Sequence, residues 1–133
     1  MKLIDSIKAN EGFVNHVYKD SLGRDTLGYG TLMPINEDEA EMLLVHRLNK
    51  MKNDLANRKP TIQLLNKSRQ DVLYEMAYQM GVDGVLKFKN MWKAIEQKDY
   101  KQAGVEMLDS IWSRQTPERA SRLAVIMGRI KTD

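Results

Sequence analysis

Apolar residues recur at helical spacing along most of the chain. A short helix is indicated over residues 2–11, and Gly12 is placed to end it in a left-handed conformation. From Asn36 onward, apolar residues follow one another at spacings of three and four, which predicts an amphipathic helix of about 20 residues. Asn36 and Glu39 are spaced as a capping box at its start, and the helix is expected to stop before Pro60.

The exception to the helical period lies between these two helices. Residues 13–33 combine tyrosine, valine and threonine with several glycines. Such a composition predicts a small antiparallel hairpin or meander, with a turn near residues 21–23.

Helical spacing returns after Pro60, and four segments are predicted there. Their expected extents are Asn66 to Gly81, Met91 to Ile95, Asp99 to Trp112, and Thr116 to Ile130. The first has a wide apolar face and is expected at the centre of its lobe. Thr116 is expected at the N-cap of the last helix, ahead of a proline at the first helical position.

The predicted fold class is therefore α+β and mainly helical. A small N-terminal lobe of about residues 1–57, carrying the β-hairpin, is joined by the long helix to a C-terminal helical lobe of about residues 60–133. The Arg58-Lys59-Pro60 run is the expected joint between the two lobes.

Length and composition indicate one soluble domain. Of 133 residues, 42% are hydrophobic and 29% charged, which is typical of a chain that folds around one core. There is no cysteine, and His16 and His46 are too few for a metal centre, so neither a metal nor another cofactor is expected. No apolar run approaches the roughly 20 residues of a membrane span, and no signal-peptide core is evident, so we expect a cytoplasmic protein without membrane insertion.

The net charge of +3 is concentrated near the C-terminus. Residues 114–133 carry five basic and two acidic groups, a difference that equals the whole net charge. The charged residues are Arg114, Glu118, Arg119, Arg122, Arg129, Lys131 and Asp133. A basic surface suits an anionic polymer such as nucleic acid or bacterial wall, although taken alone the charge is better explained by a solvated helix face.

A dense pattern lies between positions 11 and 30, reading E-G-x5-Y-x-D-x2-G-x2-T-x-G-x-G. Its eight fixed positions are Glu11, Gly12, Tyr18, Asp20, Gly23, Thr26, Gly28 and Gly30. At about 5% usage per residue type, a chance match is on the order of 10⁻¹⁰ per starting position, before allowing for the choice of pattern. An acidic pair alone would carry no information, because 18 residues are acidic. The surrounding pattern makes Glu11 and Asp20 candidates for chemistry.

This pattern resembles the phage-type lysozymes of glycoside hydrolase family 24, in a shortened form. The resemblance extends to the helical half, through the segments 76–81 and 112–120, while the stretch after Met33 is shorter than in the family. It implies a lysozyme-like fold and a muramidase that cuts the β-1,4 bond between N-acetylmuramic acid and N-acetylglucosamine in peptidoglycan.

The resemblance implies that Glu11 is the proton donor and that Asp20 and Thr26 aim the attacking water. Glycoside hydrolysis needs one carboxylic acid to protonate the leaving oxygen and one carboxylate on the opposite face of the sugar. The negative end of a helix dipole favours the protonated form of a carboxyl at position 11, whereas a carboxyl on a solvated turn stays ionised. The expected outcome is inversion at the anomeric carbon.

Other residues correspond to substrate contacts of the family. These are Leu32, Tyr78, Gln79 and Arg119, and the arginine is expected to pair with Glu11. Tyr78 fits a core aromatic equally well. Met91 and Glu106 stand where the family has polar saccharide contacts, so the outer subsites are expected to differ. Core packing is favoured over sugar stacking for Trp92 and Trp112.

The leading hypothesis is a monomeric phage endolysin that reaches the periplasmic peptidoglycan of its host from the cytoplasm through a holin-type pore. A tail-associated or prophage-encoded lysozyme would carry the same catalytic residues. A wall-binding module without catalysis and a basic nucleic-acid binder are the alternatives from other classes. The nucleic-acid binder leaves the pattern at 11–30 unexplained, so no nucleic-acid partner is expected.

Overall fold

The computed structural model describes residues 2–129, and the elements in that range confirm the mainly helical α+β class. In chain order they are α1 (Lys2–Glu11), β1 (Val14–Lys19), β2 (Asp25–Gly28), β3 (Thr31–Leu32), α2 (Glu37–Arg58), α3 (Lys67–Met80), α4 (Val82–Leu86), α5 (Lys89–Glu96), α6 (Tyr100–Leu108), α7 (Ile111–Gln115) and α8 (Pro117–Gly128), with a 3-10 turn at Pro60–Leu64. Ile130, predicted in the last helix, and the charged Lys131 and Asp133 lie outside the described residues.

Internal contacts divide the chain into two units inside α2. One unit extends to Leu44 and the other begins at Val45. As predicted, α2 ends just before Pro60, and the joint expected at residues 58–60 stays a prediction. The division falls inside a continuous helix, which carries no glycine or proline that would mark a joint in the sequence.

The first unit contains α1 and the three strands. As predicted, α1 ends at Gly12, which has φ +70° and donates its backbone N–H to the Lys8 carbonyl at 2.9 Å. The strands form one antiparallel sheet in the order β1-β2-β3. This confirms the predicted meander.

The capping box at the start of α2 is formed as predicted. The Glu39 backbone N–H donates to Asn36 Oδ1 at 2.9 Å, and the Asn36 backbone N–H donates to Glu39 Oε1 at 3.0 Å. These two bonds satisfy backbone donors that the first helical turn leaves without partners. The helix then continues for 22 residues, close to the predicted length.

The second unit holds the apolar core of the described chain. Helix α3 begins at its predicted cap, where Asn66 Oδ1 accepts from the Arg69 backbone N–H at 2.9 Å. It contributes six buried residues and packs against α4 and α8. Trp92 and Trp112 are 2% and 7% exposed, so both are core residues as favoured. No helix between residues 2 and 129 is long and apolar enough to cross a membrane.

The prediction of one helix from Asp99 through Trp112 is wrong. The chain leaves helical conformation between Leu108 and Ile111, where α7 begins. The Ser113 hydroxyl donates to the Leu108 carbonyl at 2.6 Å, and Ser110 Oγ accepts from the Ser113 backbone N–H at 3.1 Å. Serine side chains here replace backbone partners, which allows the helix to break and restart.

Thr116 is the N-cap residue of α8 and Pro117 is the first helical residue, as predicted, although the threonine side chain makes no cap hydrogen bond. Its hydroxyl donates backward to the Trp112 carbonyl at 3.1 Å instead. The side chain therefore closes α7 and does not open α8.

Candidate active site

Glu11 is the last residue of α1, and its carboxyl group lies against the turn between β2 and β3. A methyl group built on Gly30 would be 2.5 Å from Glu11 Oε2 and 2.6 Å from its carboxyl carbon. Gly30 also has φ +72°, a conformation that side chains disfavour. The structure shows that its backbone approaches the Glu11 carboxyl.

Asp20 occupies the turn between β1 and β2, and hydrogen bonds hold its carboxylate. Oδ1 accepts the backbone N–H groups of Leu22 and Arg24, each at 2.9 Å, and Oδ2 accepts from Arg24 Nε at 2.9 Å. The Gly23 N–H, at φ +76°, donates to the Asp20 carbonyl at 2.9 Å and closes the turn. The side chain is therefore fixed by the same turn that joins the strands.

These contacts set the charge of Asp20. The Arg24 backbone N–H is the largest cause that lowers the pKa of the Asp20 carboxyl. Burial opposes it as the second-largest effect, and the Leu22 N–H and the Arg24 guanidinium then lower the pKa further. Each donor favours the charged form. Asp20 is consequently a carboxylate at neutral pH, as a base or nucleophile requires.

Thr26 lies at the centre of the sheet, directly opposite Tyr18 on β1 and Leu32 on β3. Residues directly opposite one another in an antiparallel pair point to the same face, so Thr26 and Leu32 share one face. Thr26 is 2% exposed, whereas Leu32 is 45% exposed. The Thr26 hydroxyl donates to the Arg24 carbonyl at 2.9 Å, which leaves its oxygen free to accept.

The other predicted contact residues belong to the second unit. Tyr78 is 40% exposed, which excludes the core alternative for this ring. Gln79 on the same helix accepts from Trp112 Nε1 at 2.9 Å through its side-chain oxygen. Arg119 Nε donates to Glu75 Oε2 at 2.8 Å, and its pairing with Glu11 stays a prediction.

A cleft of about 450 Å³ opens in the second unit beside the loop before α7. Its lining includes Phe88, Asn90, Glu106 and Ile111. Met91 also lines this cleft but is completely buried, so its side chain serves the core. Met91 and Glu106 are the two positions where polar saccharide contacts of the family were expected to differ, and of these only Glu106 has a partly exposed side chain.

Sequence reasoning missed Arg24. The residue occupies a free position of the 11–30 pattern, yet it contacts both Asp20 and Thr26. One signal was available, because a basic residue four positions after an aspartate across a glycine turn can fold back on that carboxylate. The backbone contacts to Asp20 and Thr26 could not be anticipated without the turn geometry.

Comparisons with known proteins cover nearly the whole chain. Two probable T4-type lysozymes of Dictyostelium discoideum are each 30% identical to it, over 91% and 92% of this chain and 90% and 91% of their own lengths. The pre-baseplate central spike protein Gp5 of Enterobacteria phage T4 is 31% identical over 96% of this chain, which spans 28% of that protein. This last alignment has 158 positions against 133 residues, so the relative carries residues that this chain lacks.

The phage lysozyme family matches residues 8–127. The match takes in Glu11, the Asp20 turn and the sheet of the first unit, together with the helical core of the second up to Met127. The region that matches the family therefore contains the candidate site residues. The chain belongs to the phage lysozyme family of glycoside hydrolases.

Proposed function

We propose that this chain is a muramidase that hydrolyses the β-1,4 bond between N-acetylmuramic acid and N-acetylglucosamine in peptidoglycan. The observation that carries the proposal is the Asp20 carboxylate, held ionised by three hydrogen bonds within the sheet that also carries Thr26. Family membership supplies the reaction class, and two carboxyl groups in contrasting environments match its requirement for an acid and a base.

Glu11 is the general acid in this proposal. It protonates the glycosidic oxygen as the bond from that oxygen to the anomeric carbon breaks, and the departing sugar leaves with a neutral hydroxyl. The carboxyl lies at the end of α1, against the turn between β2 and β3. Gly30 leaves the space that the carboxyl occupies, and any larger residue at position 30 would fill that space.

Asp20 and Thr26 together direct the water. A carboxylate has about four acceptor sites, and three at Asp20 are occupied, so the remaining one is on Oδ2. The Thr26 hydroxyl donates its hydrogen to the Arg24 carbonyl, so it can only accept from the water. A water that donates to both oxygens keeps a lone pair for the anomeric carbon, and Asp20 takes its proton. The result is inversion.

Leu32, Tyr78, Gln79 and Arg119 complete the proposal as glycan contacts. Leu32 supports this role because it is exposed on the same face of the sheet as Thr26. Tyr78 offers an exposed aromatic surface of the kind that covers a sugar ring. The Gln79 amide nitrogen remains available for a sugar hydroxyl, since its oxygen already accepts from Trp112.

Digestion of purified peptidoglycan glycan strands tests both the cleaved bond and its stereochemistry. Reduction of the products with borohydride should convert muramic acid, and not glucosamine, to its alcohol. Proton NMR of a fresh digest, recorded before mutarotation, should show the α-anomer first. Reducing glucosamine ends would refute the muramidase assignment. An initial β-anomer would instead make Asp20 a covalent nucleophile, with carboxyl groups about 5 to 5.5 Å apart in place of roughly 6.5 to 9.5 Å.

For the biological role, we propose an endolysin that acts as a monomer in host lysis. It is made in the host cytoplasm and reaches the periplasmic wall when a holin-type pore opens the membrane. The similarity to a phage T4 central spike protein favours a tail-associated lysozyme as the second candidate. Detection of the chain in purified virus particles would favour that second role.

Expression of the chain alone in a Gram-negative host should leave the cells intact, because peptidoglycan lies beyond the inner membrane. Addition of chloroform should then clear the culture within minutes, while cells expressing the Glu11→Gln variant should stay turbid. Culture turbidity measures both outcomes. Prompt lysis by the wild-type chain without chloroform would contradict the requirement for a pore.

A further inference from the structure

Arg24 is the residue through which Asp20 and Thr26 are connected. Its backbone N–H and its guanidinium Nε donate to the two oxygens of the Asp20 carboxylate, both at 2.9 Å. Its carbonyl accepts the Thr26 hydroxyl at 2.9 Å and the Asp20 backbone N–H at 3.0 Å. The two residues assigned to the water are thus held by a third residue that has no assigned role.

We infer that Arg24 is a positioning residue of the hydrolytic site, which holds the Asp20 carboxylate in one orientation and leaves a single oxygen site for the water. The inference rests on the proposed function. Arg24 acts through Asp20 and Thr26 and has no part in the bond changes themselves.

The backbone and side-chain contributions of Arg24 are separable. Any residue except proline at position 24 would provide the backbone N–H and carbonyl. Only the guanidinium occupies the first acceptor site of Asp20 Oδ2. Without it, Oδ2 has two open sites, and the water is no longer confined to one direction.

The guanidinium also contributes to the charge of this site. Its hydrogen bond and its positive charge both lower the pKa of Asp20, in addition to the backbone donors. On the adjoining strand ends, Lys19 Nζ and Asp25 Oδ1 pair with each other at 2.5 Å. Glu11 is the other titratable group of the proposed reaction. Removal of the Arg24 side chain should therefore raise the pKa of Asp20 and move the acid limb of the pH–activity profile to higher pH.

The test compares Arg24→Gln with a matched control, Lys19→Gln, on soluble glycan strands. Both variants remove one positive charge from the residues that flank the turn between β1 and β2, but only the first removes a hydrogen bond to the Asp20 carboxylate. The Arg24 and Lys19 side chains are 53% and 69% exposed, so neither change should unfold the protein. Arg24→Gln should lower kcat on the order of ten-fold with KM unchanged, and should move the acid limb upward. Lys19→Gln should retain the wild-type kcat and acid limb.

Two further measurements separate positioning from other roles. In Arg24→Lys, the acid limb should lie between those of the wild type and Arg24→Gln, because an ammonium restores the charge without the directional guanidinium contact. Carbon NMR of the Asp20 carboxyl should show the same upward movement of its pKa in Arg24→Gln without any substrate. A raised KM at unchanged kcat would make Arg24 a substrate contact and overturn the inference.

The outcomes also separate this inference from the proposed function. A wild-type protein that leaves the glycan uncut would refute the proposed function. If the wild type cuts the glycan and Arg24→Gln keeps the wild-type kcat and acid limb, only the role of Arg24 is refuted. Equal losses in Arg24→Gln and Lys19→Gln would do the same, because they would indicate a general effect of charge.

Discussion

Replacing Glu11 with glutamine should lower glycan hydrolysis by about 10² to 10⁴, the usual contribution of a general acid. Glutamine has nearly the same size and fits the same space beside Gly30. Its amide has no proton acidic enough to give to the glycosidic oxygen. The loss should appear in kcat, measured on soluble glycan strands, because binding of the intact substrate does not require the transferred proton.

The fold should survive this change, since Glu11 is exposed at the end of a helix that contains no buried residue. Thermal melting checks the fold, and Glu41→Gln, an exposed glutamate on α2, is the matched control. The control should keep wild-type activity. A folded Glu11→Gln protein that retained about a third of wild-type activity would show that another group supplies the proton.

Replacing Arg69 with methionine should destabilise the second unit by roughly 3 kcal/mol or more. The side chain is 5% exposed, and its Nε donates to the Met127 carbonyl at 2.8 Å, while a terminal nitrogen donates to the Arg129 carbonyl. The guanidinium also lies 3.7 Å from the centre of the Tyr100 ring. A methionine of similar length would fill the space but leave carbonyls near the end of α8 without donors.

For a chain of this size, such a loss lowers Tm on the order of 10 °C. Arg69→Lys should fall between the wild type and Arg69→Met, because an ammonium keeps the charge but not the planar set of donors. Arg122→Met removes an exposed arginine from α8 and should change Tm little. Equal melting temperatures for Arg69→Met and Arg122→Met would mean that the buried hydrogen bonds contribute nothing net.

Most of the secondary structure could be predicted from the sequence because its signals are local. Gly12 ends α1 and the Asn36–Glu39 box starts α2, each through bonds between residues at most four positions apart. The break between α6 and α7 escaped prediction. Apolar spacing continues through it, and it depends on which carbonyls Ser110 and Ser113 reach once the chain has folded.

Some features of the candidate site could likewise be predicted from local sequence, and others could not. The pattern from Glu11 to Gly30 marks Glu11, Asp20 and Thr26 as candidates, and the resemblance to the phage-type lysozymes supplies the roles predicted for them. Neither the space that Gly30 leaves for the Glu11 carboxyl nor the contacts of Arg24 with both Asp20 and Thr26 could be predicted from that pattern. These relations depend on where strands and turns bring side chains together.

By itself, the sequence determined the mainly helical class, the meander and the identity of the candidate catalytic residues, since periodicity, capping residues and side-chain chemistry are properties of short segments. Only the tertiary structure decided that Tyr78 is exposed and that Met91 is completely buried. It also decided that Asp20 is held by three hydrogen bonds. The physical reason is that burial and hydrogen-bond partners are set by the atoms that surround a side chain after folding, and apolar spacing along a helix does not specify those neighbours.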